Sequence, residues 1–98
     1  MRTDFVRLRQ IPILHVAEAL GMPLVKIGGR NWAMKSPERP REVSSLVLDT
    51  KTNTWRRWSG KTKNGVDHGS TIDLVMHFRG CQFREACAFL LSTFHQYL

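Results

Sequence analysis

Three stretches in the middle of the chain decide its fold: GRNWAMKSPER at residues 29–39, TWRRWSGKTKNG at residues 54–65 and HGSTIDLVM at residues 68–76. The first begins as a strand and runs into a segment of charges and prolines, which cannot lie in a central strand. The second begins with aromatic and basic residues that suit a strand and continues into a polar loop. In the third, Ser70 is a predicted N-cap with Asp73 three positions later, so a helix should begin here. Together they predict a small antiparallel sheet followed by a helix.

The sequence on the N-terminal side supplies a helix and the first hairpin. Residues 11–20 form a predicted helix, with Gly21 in the left-handed conformation that ends many helices. A strand at residues 24–27 should pair with a second strand at residues 31–35 across a Gly-Gly turn. This hairpin begins the predicted sheet.

The sequence on the C-terminal side supplies the second hairpin and the last helix. A strand at residues 45–49 and another at residues 54–58 should flank a turn containing Thr52 and Asn53. The helix that begins after Ser70 should end at Gly80. The last helix should begin at about residue 83, and its apolar stripe comprises Phe83, Ala86, Cys87, Leu90, Leu91 and Phe94. The predicted fold class is α+β, with one helix before the sheet and two after it.

This order of motifs resembles the Cys-His-Cys-Cys zinc-binding domain of bacterial DNA primases and of primase-like proteins of mobile elements. In that family a GRNY…CPxH segment is followed by strands, a YxCFxC knuckle and a GGDxIxFVM helix start. The ending GCQFREACAFL at residues 80–90 is similar to the family's GLSFxEAVxxL. The resemblance covers roughly residues 11–91 and implies a zinc-ribbon-like sheet of two hairpins.

The chain departs from the family at every zinc ligand. Ser36 and Arg39 stand where the family has its first Cys and its His, and Arg57 and Gly60 stand where it has its last two Cys. None of these side chains replaces a thiolate or an imidazole as a zinc ligand. We therefore expect a degenerate, zinc-free form of the domain.

The remaining histidines and cysteines do not offer another metal site. Only His77 and Cys81 are separated by one helical turn, and Gly80 between them should end the helix. We therefore expect neither metal nor another cofactor. Because a structural zinc supplies about 10–16 kcal/mol to a zinc-finger peptide, packing has to stabilise the fold instead. Trp32, Trp55 and Trp58 stand beside the vacated positions, and we expect two of them to be mainly buried.

Length and composition predict one cytoplasmic domain over residues 1–98, with residues 1–10 as a possible flexible arm. The sequence has no apolar run long enough to span a membrane, and residues 1–4 lack the apolar stretch of a signal peptide. Cys81 and Cys87 are the only cysteines, and we expect both to be reduced. Length alone leaves open whether a catalytic domain follows.

The net charge of +7 is concentrated in the middle of the chain. Between Arg30 and Lys63 lie nine cations and three carboxylates. Such a field favours a polyanion, although a basic face can also serve solubility alone. With aromatic side chains for base stacking and cations for phosphates, the candidate nucleic-acid-binding residues are Arg30, Trp32, Lys35, Trp55, Arg56, Arg57, Trp58, Lys61 and Lys63. A weaker candidate is a phosphate site at the helix start, residues 69–71.

Together with the resemblance, these residues predict a zinc-free module of a primase-like replication or mobilisation protein that binds nucleic acid, in particular single-stranded DNA. The alternative is a protein-interaction module that kept the fold and lost DNA binding, with an apolar patch of Phe89, Phe94 and Tyr97 on the last helix. The domain would work beside a catalytic primase-type domain or a replication partner. Because no catalytic set of residues converges, we do not expect an enzyme.

Overall fold

The computed structural model describes residues 5–36, 42–57 and 68–97. It confirms the α+β class and shows a five-stranded antiparallel sheet in the order β1-β2-β3-β4-β5. The strands are β1 (Leu24–Gly28), β2 (Asn31–Lys35), β3 (Val43–Asp49), β4 (Thr54–Arg57) and β5 (His68–Gly69). The helices are α1 (Phe5–Gln10), α2 (Ile13–Ala19), α3 (Thr71–Arg79) and α4 (Phe83–Thr93), followed by a 3₁₀ turn at His95–Tyr97.

The pairing register divides the sheet into two faces. Trp32, Leu48 and Trp55 lie opposite one another on β2, β3 and β4, and their row faces the helices; we call this side the inner face. The neighbouring row contains Val47 and Arg56, which alternate to the opposite side, the outer face. The helices thus cover one face of the sheet and leave the other open.

The inner face and the helices share one apolar core. Leu46 and Leu48 of β3 are at most 1% exposed, and the sheet meets fully buried side chains of all four helices. Met34, Ala86 and Leu90 belong to the same set of buried residues. Continuous apolar burial therefore joins the sheet to the helices.

The predicted helix signals are present. Ser70 precedes α3, and the Asp73 carboxylate accepts hydrogen bonds from the Ser70 backbone N–H at 2.8 Å and from its hydroxyl at 3.1 Å. Gly80 ends α3 with a φ of 64°, and Gly21 follows α2 with a φ of 78°. Gly69 has a φ of 140°, and a side chain there would overlap the Asp73 carboxylate. Glycine is therefore required where β5 turns into α3.

Two elements differ from the expectations. Residues 5–10 are not a frayed arm: they form α1, whose Leu8 is fully buried and accepts a 2.7 Å hydrogen bond from the Thr71 hydroxyl through its carbonyl. The sheet also gains β5, because His68 and Gly69 pair with Arg56 and Trp55 of β4. Both elements depend on tertiary contacts, and the local pattern carried no signal for either.

Asn53 connects the sheet to the two N-terminal helices. It lies in the β3–β4 turn with a φ of 58°, a conformation that Asn tolerates better than most residues. Its Oδ1 accepts the Ile13 backbone N–H at 2.7 Å, and its Nδ2 donates to the carbonyls of Arg9 and Ile11, each at 2.9 Å. A single amide therefore caps the end of α1 and the start of α2.

The structure also describes the two cysteines and the lengths of the helices. Cys81 and Cys87 are free thiols, and burial raises the pKa of both. Within the described parts of the chain, every helix is too short or too polar to cross a membrane.

Candidate functional site

The two vacated zinc positions that the structure describes, Ser36 and Arg57, lie at the same end of the sheet. Ser36 follows β2 and its backbone N–H donates to the Glu42 carbonyl at 2.9 Å, so the chain returns directly into β3. Arg57 is the last residue of β4 and pairs with Leu46 in the middle of β3. The other two vacated positions, Arg39 and Gly60, lie outside the described residues.

Arg57 is hydrogen-bonded to a buried histidine. Its Nη1 lies 2.9 Å from Nε2 of His77, which is 1% exposed on α3. Because a guanidinium only donates, His77 accepts through Nε2 and carries its ring proton on Nδ1. The Arg57 Nε–H is buried and has no hydrogen-bond partner among the described residues, so this cation is only partly satisfied.

Trp55 packs beside the hydrogen-bonded pair of Arg57 and His77 on the inner face. Its ring centroid lies 4.8 Å from that of His77, and its indole N–H donates to the Ser70 carbonyl at 3.0 Å. With 2% exposure Trp55 is a core residue. Trp55 was predicted as a stacking surface for a base, and the structure instead places its ring against His77 of α3.

Trp32 and Arg57 also belong to the inner side. Trp32 is half-buried and packs against the core, so it does not extend an aromatic platform beside Arg56. The Arg57 guanidinium is held by His77 and is not on the surface that Arg56 occupies. The predicted set thus divides between two faces.

The outer face carries an open groove of about 540 Å³, lined by Ile27, Asn31, Val47, Asp49, Thr54, Trp55, Arg56, His68 and Gly69. Ile27, at 50% exposure, and the half-buried Val47 supply aliphatic surface. Arg56 and His68 are exposed neighbours across the β4–β5 pair. This arrangement places a cation and several hydrogen-bonding groups around an apolar floor.

Arg30 lies at the far end of the groove and is paired with a carboxylate. Its Nε lies 3.1 Å from Asp49 Oδ2, and its side chain is 50% exposed. Burial alone would raise the pKa of Asp49, but hydrogen bonds from the backbone N–H groups of Thr52 and Lys51 and the charge of Arg30 outweigh it and lower this pKa. The ion pair offsets part of the positive charge of Arg30.

A further exposed cation lies at the opposite end of the sheet. Lys35 is exposed at the end of β2 and lies on the same face of the strand as Ala33, the outer face. The segments that leave this end, residues 37–41 and 58–67, lie outside the described residues, and so do the predicted site residues Trp58, Lys61 and Lys63. By sequence these segments carry Arg39, Arg41, Lys61 and Lys63 against Glu38 and Asp67.

The start of α3 does not suit a phosphate. The Asp73 carboxylate already accepts from Ser70, and the Thr71 hydroxyl is buried against Leu8. A second anion would meet the negative charge of Asp73 at close range. This weaker candidate site is therefore a helix cap.

Sequence reasoning missed His77 and His68. His77 was considered only as a metal ligand, and its bond to Arg57 joins residues 20 positions apart, which no local pattern reveals. His68 could be recognised only once β5 was known to pair with β4.

Across residues 5–36, 42–57 and 68–97, no three His, Cys, Asp or Glu side chains come together in a way that could hold a metal ion. The described ligand positions hold a serine and an arginine. These described residues therefore do not fit a zinc ion.

Comparison with solved structures finds a fold relative. The chain superposes on the crystal structure of the Aquifex aeolicus primase (zinc binding and RNA polymerase domains) with a TM-score of 0.69 and 21% sequence identity. The match covers 97% of this chain and 22% of the primase chain. At this identity the likeness shows the fold. No protein-family model matches the sequence, and no curated protein does.

Proposed function

We propose that the chain is a zinc-free nucleic-acid-binding module of a primase-like replication or mobilisation protein, and that it binds single-stranded DNA on the outer face of its sheet. The observation that carries the proposal is the open outer face, where exposed Arg56 and His68 border an aliphatic groove. The fold it shares with a primase supports the replication context.

The charge distribution supports a DNA strand that crosses the outer face of the sheet towards the ends of β2 and β4. Lys35 and Arg56 lie towards the end of the sheet from which residues 37–41 and 58–67 leave, and those segments hold four more cations. Phosphates would be neutralised there without any reading of sequence. Arg30 contributes less, because Asp49 pairs with it.

The structure changes the expected contact with bases. Trp55 is only 2% exposed and Trp32 packs against the core, so Ile27 and Val47 would contact sugars and base faces through aliphatic surface. In this proposal the stacking aromatic is Trp58, which lies outside the described residues and follows Arg56 by two positions in the sequence. Lys61 and Lys63 follow it as phosphate contacts.

The test is a titration of labelled single-stranded and duplex DNA with the chain. Binding is monitored by fluorescence anisotropy at several salt concentrations. Arg56→Ala should weaken binding of the single strand and lower the slope of log K against log salt by about 0.7, the value for one phosphate contact. Lys51→Ala is the matched control, because Lys51 is an exposed cation in the turn at the other end of the sheet. Equal affinities and slopes for both variants and the wild type would contradict the proposal.

The alternative, a protein-interaction module, is not supported by the residues first considered for it. Phe94 is only 7% exposed, and Phe89 is half-buried beneath the Arg79 guanidinium, 4.7 Å from its ring centroid. The side chain of Tyr97 lies outside the described residues. Exposed apolar residues do occur elsewhere on the helices, and they support a separate inference.

A further inference from the structure

Exposed apolar side chains are concentrated on two helices. Among the described residues five large apolar side chains remain exposed, and four of them lie on α1 and α4: Phe5, Val6, Phe83 and Leu91. Their exposed fractions run from 38% for Leu91 to 60% for Val6. Single exposed apolar residues are ordinary, but a group on adjacent elements marks an interaction surface.

An aromatic pair joins the two helices. The rings of Phe5 and Phe83 meet edge to face, with centroids 5.1 Å apart and planes at 63°. The pair is not shielded by other residues, since Phe5 is 40% and Phe83 is 39% exposed. The two rings therefore form an exposed aromatic pair between α1 and α4.

Cations lie on the same two helices as the aromatic pair. The helices α1 and α4 contain Arg7, Arg9 and Arg84 against one carboxylate, Glu85, and all four side chains are exposed. Arg84 and Leu91 are seven positions apart and so lie on one side of α4. Burial raises the pKa of the Cys87 thiol on α4, and the nearby charge of Arg9 partly opposes that effect.

We propose that this surface, the α1–α4 face formed by Phe5, Val6, Phe83 and Leu91 with Arg9 and Arg84, docks an acidic peptide segment of another protein that carries apolar side chains. Charge complementarity selects the partner: its carboxylates pair with the arginines and its apolar side chains cover the phenylalanines. A second copy of this chain would bring like charges together, which disfavours self-association through this face. The surface is separate from the outer face of the sheet and does not depend on DNA binding.

The probe is a fluorescein-labelled peptide of aspartates that ends in two phenylalanines, compared by anisotropy with the same peptide carrying lysines in place of the aspartates. The acidic peptide should bind saturably and the basic one should not. Arg84→Glu should weaken binding by about tenfold or more, a clear difference in dissociation constant. Lys51→Glu makes the same change of charge in the β3–β4 turn and should leave binding close to that of the wild type.

Leu91→Ser tests the apolar part of the surface and should also weaken binding of the acidic peptide. Circular dichroism should show that this variant is folded. Equal binding by the Arg84→Glu and Lys51→Glu variants would overturn the proposal. So would equal binding of both peptides, binding of anionic vesicles without binding of the acidic peptide, or a dimer in sedimentation that Arg84→Glu dissociates.

Discussion

At the scale of single residues, Asn53 has a structural role that one substitution can test. Asn53→Ala should lower the free energy of unfolding by roughly 1–3 kcal/mol, because the Ile13 N–H and the carbonyls of Arg9 and Ile11 lose their partner. Urea unfolding monitored by circular dichroism measures this change in the free energy of unfolding.

The matched variant is Asn53→Gly, which accepts the positive φ but supplies no hydrogen bonds. It should be destabilised nearly as much as Asn53→Ala. If Asn53→Gly instead unfolds at the wild-type urea concentration, the residue matters only for the turn conformation, and the connection to α1 and α2 is not important.

Arg57 and His77 form the second test at this scale. Each single variant, Arg57→Met or His77→Phe, should be destabilised, since each leaves a buried polar partner without its hydrogen bond. The double variant should be less destabilised than the sum of the two, by at least about 0.5 kcal/mol. Additive losses would show that this contact contributes nothing beyond the separate packing of the two side chains.

At the scale of elements, Asp49 links the two turns at one end of the sheet. It accepts the backbone N–H groups of Lys51 and Thr52 and pairs with Arg30. Because these contacts hold the pKa of Asp49 below its usual range, its stabilising effect is complete above the unfolded value of about 3.9 and is lost as pH falls through the lower folded value.

Asp49→Asn should therefore melt below the wild type at neutral pH, and the difference should shrink as pH falls below about 3.9. Thermal unfolding between acid and neutral pH measures both curves. Glu18→Gln is the control, because Glu18 is an exposed carboxylate on α2. A difference between wild type and Asp49→Asn that stays constant with pH would contradict the assignment.

The elements show how far the sequence alone can predict this fold. The helices α2 and α3 were predictable because their end signals, Gly21, Ser70 and Gly80, are local and chemically specific. β2 was predicted with the bounds that the structure shows. α1 and β5 could not be predicted in this way, since Leu8 and His68 are placed by partners far along the chain.

The candidate site was predictable only in part, for the same reason. Alternation along a strand is enough to separate Arg56 from Trp55 and Arg57 on β4. It does not show which side becomes the core, where the structure places Trp55. Only the position of α3 over β4 settles that question.

At the scale of the whole molecule, the sheet has one packed face and one open face. The inner face is closed by Trp55, His77 and Arg57. The outer face stays open, and the exposed cations Lys35 and Arg56 lie towards one end of it. The central claim is that packing, and not a bound ion, stabilises this primase-like fold.

The most direct test of that claim is thermal unfolding of the purified chain with and without a zinc chelator, combined with elemental analysis of the same sample. The account predicts substoichiometric zinc and the same melting temperature in both conditions, because the described residues offer no metal-binding cluster. Stoichiometric zinc whose removal unfolds the chain would contradict it.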